Sequence, residues 1–481
     1  MDKIINYSLE EIAKKIKACE FTSEEVVRAC ICQIKLTKDI NALNSIDEDG
    51  AIQEAKRIDA EIKKGNKTGA LLGVPVVVKD NMCTRVMKTT CSSKFLSNFT
   101  APYEATVVSN LKKAGAIIIG KANMDEFAMG SSNENSAFGK VLNPLDKTRV
   151  PGGSSGGSAA TVASNQCFGS LGTDTGGSIR QPASLCGIVG VKPTYGLVSR
   201  RGVVAFASSL DQVGTFGRTV RDAGIMLDAI SSCDERDATS SLNADKVKVS
   251  GCYSDNIKGM KIGICKQIFS LGMNDDVKVC VDRAIDFYKN AGAEIVEVEL
   301  PDISVALDIY YILSSAEAAS NLARYDGVKY GVRATDYDGL IDLYVKSRSE
   351  GFGSEVKRRI MLGNYVLSSG YYDAYYKKGT LCQELLKREF AKAFSMCDAI
   401  LSPVSPTVAF KFGEKATPLQ MYLADIYTVP VNIFGGCAIS FPCGKGEGNM
   451  PVGLQLIGNH FEECKIFKLA DYFEKHNGGK N

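Results

Sequence analysis

Ser178 has the sequence surroundings of a catalytic nucleophile. It directly follows Gly176 and Gly177, so its hydroxyl would stand on an open backbone with free N–H groups beside it. A nucleophile next to free backbone donors is the arrangement that attacks a carbonyl and stabilises the resulting oxyanion. The pattern therefore indicates acyl-transfer chemistry at Ser178.

A nucleophilic serine needs a base, and histidine is scarce in this chain. The only imidazoles are those of His460 and His476, and a lone histidine is more often a packing or surface residue than a catalyst. A neutral, desolvated lysine is the remaining choice. Lys79 ends the apolar run 73–78, where a strand end would bring its amine to the rim of a buried layer. A solvated lysine at a strand end fits the same pattern.

The other glycine-rich stretch, PGGSSGGS at 151–158, precedes a helical run and invites comparison with phosphate-binding loops. A Walker loop needs a lysine after its last glycine, and no lysine follows here. A dinucleotide fingerprint must follow a strand, and Arg149-Val-Pro is a poor strand end. The sequence therefore argues against nucleotide binding, and a tight turn that lets backbones pass closely is the alternative.

The stretch from about 73 to 230 resembles the amidase signature family. The mark of that family is a long Gly/Ser-rich block, which here spans 151–196, and the likeness extends to PVGLQLIG at 451–458. A block of this length and spacing does not arise by chance, and the likeness covers nearly the whole chain.

Enzymes of this family use a Ser–cis-Ser–Lys triad. The resemblance implies that Lys79 is the base, that Ser154 is the bridging serine and that Ser178, 24 residues further on, is the nucleophile. It also implies a cis peptide bond between Gly153 and Ser154. The backbone N–H groups expected to receive the oxyanion are those of Thr175, Gly176 and Gly177.

Within the family, the chain resembles the subunits that hydrolyse glutamine for tRNA-dependent amidotransferases. Three blocks carry this likeness, at 125–136, 351–360 and 368–373. The likeness implies that ammonia from L-glutamine passes to a B subunit, which amidates glutamate on tRNA(Gln) or aspartate on tRNA(Asn), and that a small C subunit tethers the two. No cofactor or metal is expected in this chain, whereas ATP and magnesium are expected in the partner subunit. A free-standing amidase for small aryl or alkyl amides is the alternative.

A glutamine site needs an opposite charge for each end of the zwitterion, because stripping water from unpaired charges is costly. By resemblance to the clamp of those subunits, Arg358 is expected at the α-carboxylate, which a guanidinium matches with two parallel bonds. Asp425 is expected at the α-ammonium, with the hydroxyl of Tyr310 nearby. Arg359 and Tyr311 are adjacent and could take these roles instead. The alternative for each charge is a solvated surface group.

Alternating strands and helices would position these groups. Two capping boxes, at 8–11 and 22–25, open apolar-periodic stretches, and short β-branched runs alternate with helical segments from 76–78 onwards. This order predicts an α/β fold with a mixed, mainly parallel central sheet covered by helices on both faces. Further strands are predicted at 117–119, 261–265, 293–300, 399–401, 437–441 and 452–457, and helices at 106–114, from about 124, at 158–163 and at 276–290.

The predicted organisation is an N-terminal helical segment, 1–70, packed on one α/β body, 71–481. Within the body, the catalytic core would span 73–230, and a helical insertion would occupy about 305–395.

The composition is that of an ordinary globular chain. The 481 residues are 45% apolar and 23% charged, with a net charge of +2, which excludes collagen-like and disordered classes and gives no strong steering towards nucleic acid. The N-terminus lacks the apolar core of a signal peptide, and no apolar run is long enough to span a membrane, so a cytoplasmic location is expected. The 16 cysteines form no CxxC pair and are expected to be free, buried thiols.

Overall fold

A computed structural model describes residues 3–415 and 417–477. The outer bounds of the two predicted segments, residues 1 and 481, lie outside the described residues. Within those ranges the chain forms one sheet of eleven strands and sixteen α-helices. The strands are β1 (Leu43–Ile46), β2 (Pro75–Lys79), β3 (Ile117–Ala122), β4 (Gly169–Asp174), β5 (Val189–Lys192), β6 (Gln212–Gly217), β7 (Lys261–Cys265), β8 (Glu294–Val298), β9 (Ala399–Pro403), β10 (Cys437–Lys445) and β11 (Pro451–Gly458). The helices are α1 (Leu9–Lys17), α2 (Ser23–Leu36), α3 (Glu48–Lys63), α4 (Thr106–Lys113), α5 (Gly156–Ala163), α6 (Arg180–Cys186), α7 (Val220–Ile230), α8 (Lys266–Phe269), α9 (Asp275–Asn290), α10 (Ala306–Leu322), α11 (Gly339–Gly351), α12 (Ser354–Leu367), α13 (Lys378–Phe394), α14 (Pro418–Tyr422), α15 (Val429–Phe434) and α16 (Glu463–Asn477).

The sheet has the strand order β1-β3-β2-β4-β6-β5-β10-β11-β9-β7-β8. Parallel pairing occurs in β3-β2-β4 and in β9-β7-β8, where α4 and α9 form helical crossovers between paired strands. The other neighbouring strands pair antiparallel, as in the hairpin β10-β11. The predicted mixed α/β sheet is confirmed, but the expectation that it is mainly parallel needs correction. Its centre is built from antiparallel partners, which need no crossover helix.

Helices cover both faces of the sheet, and small residues on β4 allow their close approach. A Cβ on Gly169 would lie 3.0 Å from Leu9 of α1 and 3.1 Å from Met226 of α7. A Cβ on Gly172, on the other face, would lie 3.1 Å from Ile179, which directly precedes α6. A Cβ on Gly172 would also lie 2.9 Å from Ser155 Oγ, so this glycine lets the loops before α5 and α6 approach the carboxyl end of β4. These loops carry the predicted triad serines.

The N-terminal segment is held by local capping. The side chains of Ser8 and Thr22 accept hydrogen bonds from the N–H groups of Glu11 and Glu25, and both glutamates bond back to the cap residues. Both predicted capping boxes are therefore present. The segment 1–70 also supplies β1, which pairs antiparallel with β3 and was not predicted.

The predicted helices near 124 and at about 305–395 have different outcomes. The helix expected from about 124 is a single 3₁₀ turn, Glu126–Ala128, because Phe127 and Ala128 have left-handed φ values of 50° and 64° that an α-helix does not allow. The helical insertion expected at about 305–395 coincides with α10 to α13. No helix in the described ranges is long and apolar enough to cross a membrane.

The cysteines are mostly free thiols, with one exception. Cys252 and Cys464 form a disulfide across 212 residues of sequence, so the expectation of free thiols is wrong for this pair. Their separation along the chain gave no spacing signal. Among the described residues the other fourteen cysteines are free, and ten of them are buried.

Candidate active site

Lys79 is the last residue of β2 and is fully buried at the carboxyl end of that strand. Its Nζ lies 2.8 Å from Ser154 Oγ, 2.7 Å from Ser155 Oγ and 2.9 Å from Thr173 Oγ1. Burial lowers the pKa of Lys79 to about 7, although nearby carboxylates oppose this shift. A lysine with this pKa is partly neutral near pH 7, so it can accept a proton from a hydroxyl that it contacts.

Three hydroxyl groups, those of Ser154, Ser155 and Thr173, surround Nζ of Lys79. Ser155 Oγ donates to the carbonyl oxygen of Thr173 at 3.1 Å, so it is free to accept from the lysine. Thr173 Oγ1 accepts from Asn81 Nδ2 at 3.1 Å and also lies within reach of Nζ. A neutral amine has two N–H donors and one lone pair. When Lys79 is neutral and Ser155 and Thr173 accept its two N–H groups, its lone pair can accept a hydrogen bond from Ser154 Oγ.

Ser154 and Ser178 lie on adjacent loops. The peptide bond between Gly153 and Ser154 is cis, as the family resemblance predicts. The N–H of Ser155 donates to the carbonyl oxygen of Ser178 at 3.3 Å, which holds the two loops together. Ser178 is 8% exposed, whereas Lys79 and Ser154 have no exposed surface, so Ser178 is the member that a substrate can reach. A hydroxyl contact between Ser154 and Ser178 stays a prediction.

The loop before Ser178 offers backbone donors, but not all of those predicted. The N–H of Gly177 donates to Asp174 Oδ1 at 2.8 Å, so this amide is occupied, contrary to expectation. Within residues 3–415 and 417–477, the N–H groups of Thr175 and Gly176 have no acceptor. The N–H of Ser178 is equally free there and was not considered from the sequence. A developing oxyanion would find its donors among these three free amides.

A buried ion pair fixes the same loop. Arg180 Nη2 lies 3.0 Å from Asp174 Oδ1, and neither side chain is exposed. Burial alone would raise the pKa of Asp174, but the charge and hydrogen bonds of Arg180, with help from Asn432, lower it to about 2. Thr428 Oγ1 donates to the carbonyl oxygen of Gly176 at 2.7 Å. The loop is thus held from both sides by groups that stay ionised or hydrogen-bonded at neutral pH.

Asp425 is buried next to this loop, as its predicted place in a glutamine clamp requires. Its carboxylate accepts a hydrogen bond from Ser131 Oγ, and its backbone carbonyl accepts from the N–H of Thr428 at 3.0 Å. The hydroxyl of Thr428 donates to the carbonyl of Gly176, so this threonine ties Asp425 to the nucleophile loop. Burial raises the pKa of Asp425 to about 7, and a bound cation would lower it again by favouring the charged form.

The helix α12 turns its two adjacent arginines in different directions. The side chain of Arg358 is 48% exposed, whereas that of Arg359 is 3% exposed. Both pair with Glu355, and Arg359 Nε lies 2.7 Å from Glu355 Oε1. The buried Nη1 of Arg359 has no hydrogen-bond partner in the described part of the chain, which is costly unless a ligand supplies one. The structure therefore favours Arg359 over Arg358 as the carboxylate-binding residue.

Tyr310 and Tyr311 have separate positions. A Cβ on Gly176 would lie 2.7 Å from Cζ of Tyr310, so the phenol of Tyr310 is next to the nucleophile loop. The ring of Tyr311 meets that of Tyr310 edge-on at 5.0 Å and stacks on Tyr422 at 3.8 Å. The guanidinium of Arg359 lies 4.6 Å from the centroid of Tyr311. Tyr310 thus keeps its predicted place beside the loop, whereas Tyr311 packs against the arginine.

Sequence reasoning missed the polar groups that support these side chains. The missed residues are Ser131, Ser155, Thr173, Asp174, Arg180, Glu355 and Thr428. A signal existed for two of them, because Asp174 and Arg180 are charged residues six positions apart within a block of small residues. Charges in such a block must pair when the block is buried.

Known proteins with similar sequences identify the family of this chain. Residues 25–467 match the family model described as Amidase. The chain is 54% identical over 477 residues to the A subunit of the glutamyl-tRNA(Gln) amidotransferase of Thermoanaerobacter pseudethanolicus, and the match covers 99% of this chain and 97% of that protein.

Solved structures show the same fold. The crystal structure of the A subunit of glutamyl-tRNA(Gln) amidotransferase from Thermotoga maritima is 40% identical and has a TM-score of 0.82, with 98% of this chain and 95% of that chain covered. The peptide amidase of Stenotrophomonas maltophilia is 26% identical and has a TM-score of 0.84, with 99% and 98% covered. Since the family model spans most of the chain and near full-length relatives exceed half identity, this chain belongs to the amidase family.

Proposed function

We propose that this chain hydrolyses the side-chain amide of L-glutamine as the glutaminase component of a tRNA-dependent amidotransferase. The ammonia would pass to a B subunit that amidates glutamate on tRNA(Gln), or aspartate on tRNA(Asn). ATP, magnesium and the misacylated tRNA would bind to the complex through that partner, and a C subunit would tether the two. The names of the near full-length relatives support this assignment.

The observation that supports glutamine as the substrate is a pair of buried side chains of opposite charge near the loop that carries Ser178. Arg359 has a buried Nη1 without a partner among the described residues, and Asp425 has a buried carboxylate held by Ser131. These groups match the α-carboxylate and the α-ammonium of glutamine. Arg359 could bind the carboxylate through Nη1 while its Nε stays paired with Glu355, and the buried carboxylate of Asp425 would gain a cationic partner. A small aryl or alkyl amide carries neither charge, so the pair argues against a free-standing amidase for such substrates.

The chemistry follows from the relay. Ser178 Oγ attacks the side-chain carbonyl carbon of glutamine while its proton passes through Ser154 to Lys79. The oxyanion accepts hydrogen bonds from the N–H groups of Thr175 and Gly176. When the C–N bond breaks, the relay returns the proton to the departing nitrogen and ammonia leaves. Water then attacks the glutamyl ester, with the relay again as base. Glutamate is released and the hydroxyl of Ser178 is regenerated.

A transamidation assay on the reconstituted complex tests this function. The chain is purified with B and C subunits, and both misacylated tRNAs are offered with either glutamine or ammonium chloride as nitrogen donor. The wild-type complex is expected to use both donors, whereas a Ser178→Ala complex should use ammonium chloride alone. A wild-type chain that assembles with neither partner and hydrolyses simple amides in preference to glutamine would contradict the proposal.

A further inference from the structure

Asp211 and Thr175 face each other just beyond the end of a strand pair. β4 and β6 are antiparallel, and the last partners in their ladder are Asp174 and Gln212. One further step along each strand places Thr175 opposite Asp211. Thr175 Oγ1 donates to Asp211 Oδ1 at 2.7 Å, and both residues are buried.

The carboxylate of Asp211 is itself fixed from the other side. Its Oδ2 accepts hydrogen bonds from the N–H groups of Phe206 and Ala207 at 2.8 and 3.1 Å. The backbone N–H of Asp211 donates to the carbonyl oxygen of Ala207 at 2.8 Å. Rotation of the carboxylate would break at least two of these bonds, so Oδ1 is a rigid anchor for the hydroxyl of Thr175.

The peptide unit between Thr175 and Gly176 has no other anchor in the described ranges. The next unit along the chain is held at both ends, because Thr428 binds the carbonyl of Gly176 and Asp174 binds the N–H of Gly177. By contrast, within the part of the chain that the structure describes, neither the carbonyl of Thr175 nor the N–H of Gly176 makes a hydrogen bond. The direction of that N–H is therefore set through the side chain of Thr175.

We propose that Asp211 is a positioning residue for the hydrolytic reaction: by holding the hydroxyl of Thr175, it directs the N–H of Gly176 towards the oxyanion that forms on attack by Ser178. This inference rests on the proposed role of Ser178. It assigns a task to a buried carboxylate that lies outside the triad and outside the glutamine clamp. A purely structural hydrogen bond would affect folding without selectively affecting turnover.

Replacing the hydroxyl of Thr175 distinguishes a positioning role of Asp211 from a purely structural one. Thr175→Val keeps the shape of the side chain but cannot donate to Asp211. Since loss of one oxyanion donor lowers turnover by about 100–1,000-fold, a misdirected donor is expected to lower kcat by roughly 10–100-fold with KM within about twofold. Thr175→Ser restores a hydroxyl and should have at least about ten times the kcat of Thr175→Val. Asp211→Ala in the Thr175→Val background should add little further loss of kcat, because Thr175→Val has already broken the contact that Asp211→Ala removes.

The test uses the chain assembled with its partner subunits, with glutaminase kinetics and urea unfolding measured for every variant and Ser178→Ala run beside them. A Thr175→Val variant that keeps kcat within twofold, or whose loss lies in KM alone, would overturn the proposal. Equal losses in Thr175→Val and Thr175→Ser would also overturn it. If Ser178→Ala retained glutamine hydrolysis, the proposed catalytic role and this inference would both fail. If the wild type preferred another amide, the proposed substrate alone would fail, and the same kcat comparison on that amide would decide the role of Asp211.

Discussion

The Nζ of Lys79 lies 2.8 Å from the Oγ of Ser154, and neither side chain has any exposed surface. In the proposed mechanism, this contact lets a chain with two histidines, neither near these loops in sequence, supply a base to a serine nucleophile. Burial lowers the pKa of Lys79 to about 7, so desolvation makes the amine a base near neutral pH. The proposed reaction then needs no imidazole.

Replacing this lysine by arginine should be as damaging as deleting it. A guanidinium stays charged and cannot accept the proton of Ser154, so Lys79→Arg and Lys79→Ala should both lower kcat by about 1,000-fold or more, as loss of a triad member does. Steady-state glutaminase kinetics measure this, with exposed Lys113→Arg as the matched control. Substantial turnover by Lys79→Arg would contradict a base role.

The pH dependence should follow two groups that act in the same direction. Lys79 must be neutral and Asp425 must be ionised, and burial brings both pKa values to about 7. Both active forms therefore increase as pH rises through 7. A log plot of kcat/KM for glutamine between about pH 5.5 and 8.5 should rise with a slope above one, and Asp425→Asn should reduce that slope towards one. A profile that falls across this range would contradict the assignment.

The two adjacent arginines provide a matched pair. Arg359→Ala removes the buried guanidinium and should reduce kcat/KM for glutamine by the equivalent of about 2–5 kcal/mol, the range for a lost buried charge partner. Arg358→Ala removes a half-exposed side chain and should change kcat/KM by less than about 1 kcal/mol. Steady-state kinetics on both variants make the comparison. A large effect of Arg358→Ala together with a small effect of Arg359→Ala would show that Arg358, the residue first expected from the sequence, binds the α-carboxylate.

The ammonium side of the clamp has its own test. Asp425→Asn keeps the shape of the side chain but removes its charge, so glutamine-dependent transamidation should fall while ammonium chloride still supports the reaction. The exposed Asp282→Asn is the control and should behave as wild type. If Asp425→Asn reduced transamidation equally with glutamine and with ammonium chloride, the defect would lie in assembly or folding and the clamp would not explain it.

The orientation of α12 shows what could be predicted from sequence and what could not. The motif identified the arginine pair but not the member that faces inwards. Helical spacing held the answer: Arg359 is three residues after Val356 and four before Gly363, both buried, so it shares their face. That signal becomes decisive only when those two positions are known to face the core.

Elements defined by local pattern were predicted well. Lys79 at the end of an apolar run, and the capped helices near the N-terminus, depend on neighbouring residues alone. The occupied amide of Gly177 and the disulfide between Cys252 and Cys464 depend on side-chain directions and on contacts distant in sequence. The antiparallel centre of the sheet likewise follows from tertiary pairing, which strand patterns do not report.

The ion pair that fixes the nucleophile loop should contribute to stability. Arg180→Met leaves Asp174 buried without its partner, and such a loss costs about 3–5 kcal/mol. Lys14→Met breaks the surface pair with Glu10 and should cost less than about 1 kcal/mol. Urea unfolding of both variants gives the two free energies of unfolding. If both variants lost a similarly small amount of unfolding free energy relative to wild type, the buried pair would not stabilise the loop.

In the proposed reaction, Ser178 forms a glutamyl ester through the Lys79–Ser154 relay. The most direct measurement is mass spectrometry of the assembled protein after reaction with a glutamine-like electrophile. We expect one adduct, on the peptide that carries Ser178, with no adduct in Ser178→Ala and a much slower one in Lys79→Ala. Labelling that persists in Ser178→Ala, or that falls on another residue of the wild type, would contradict the proposed reaction.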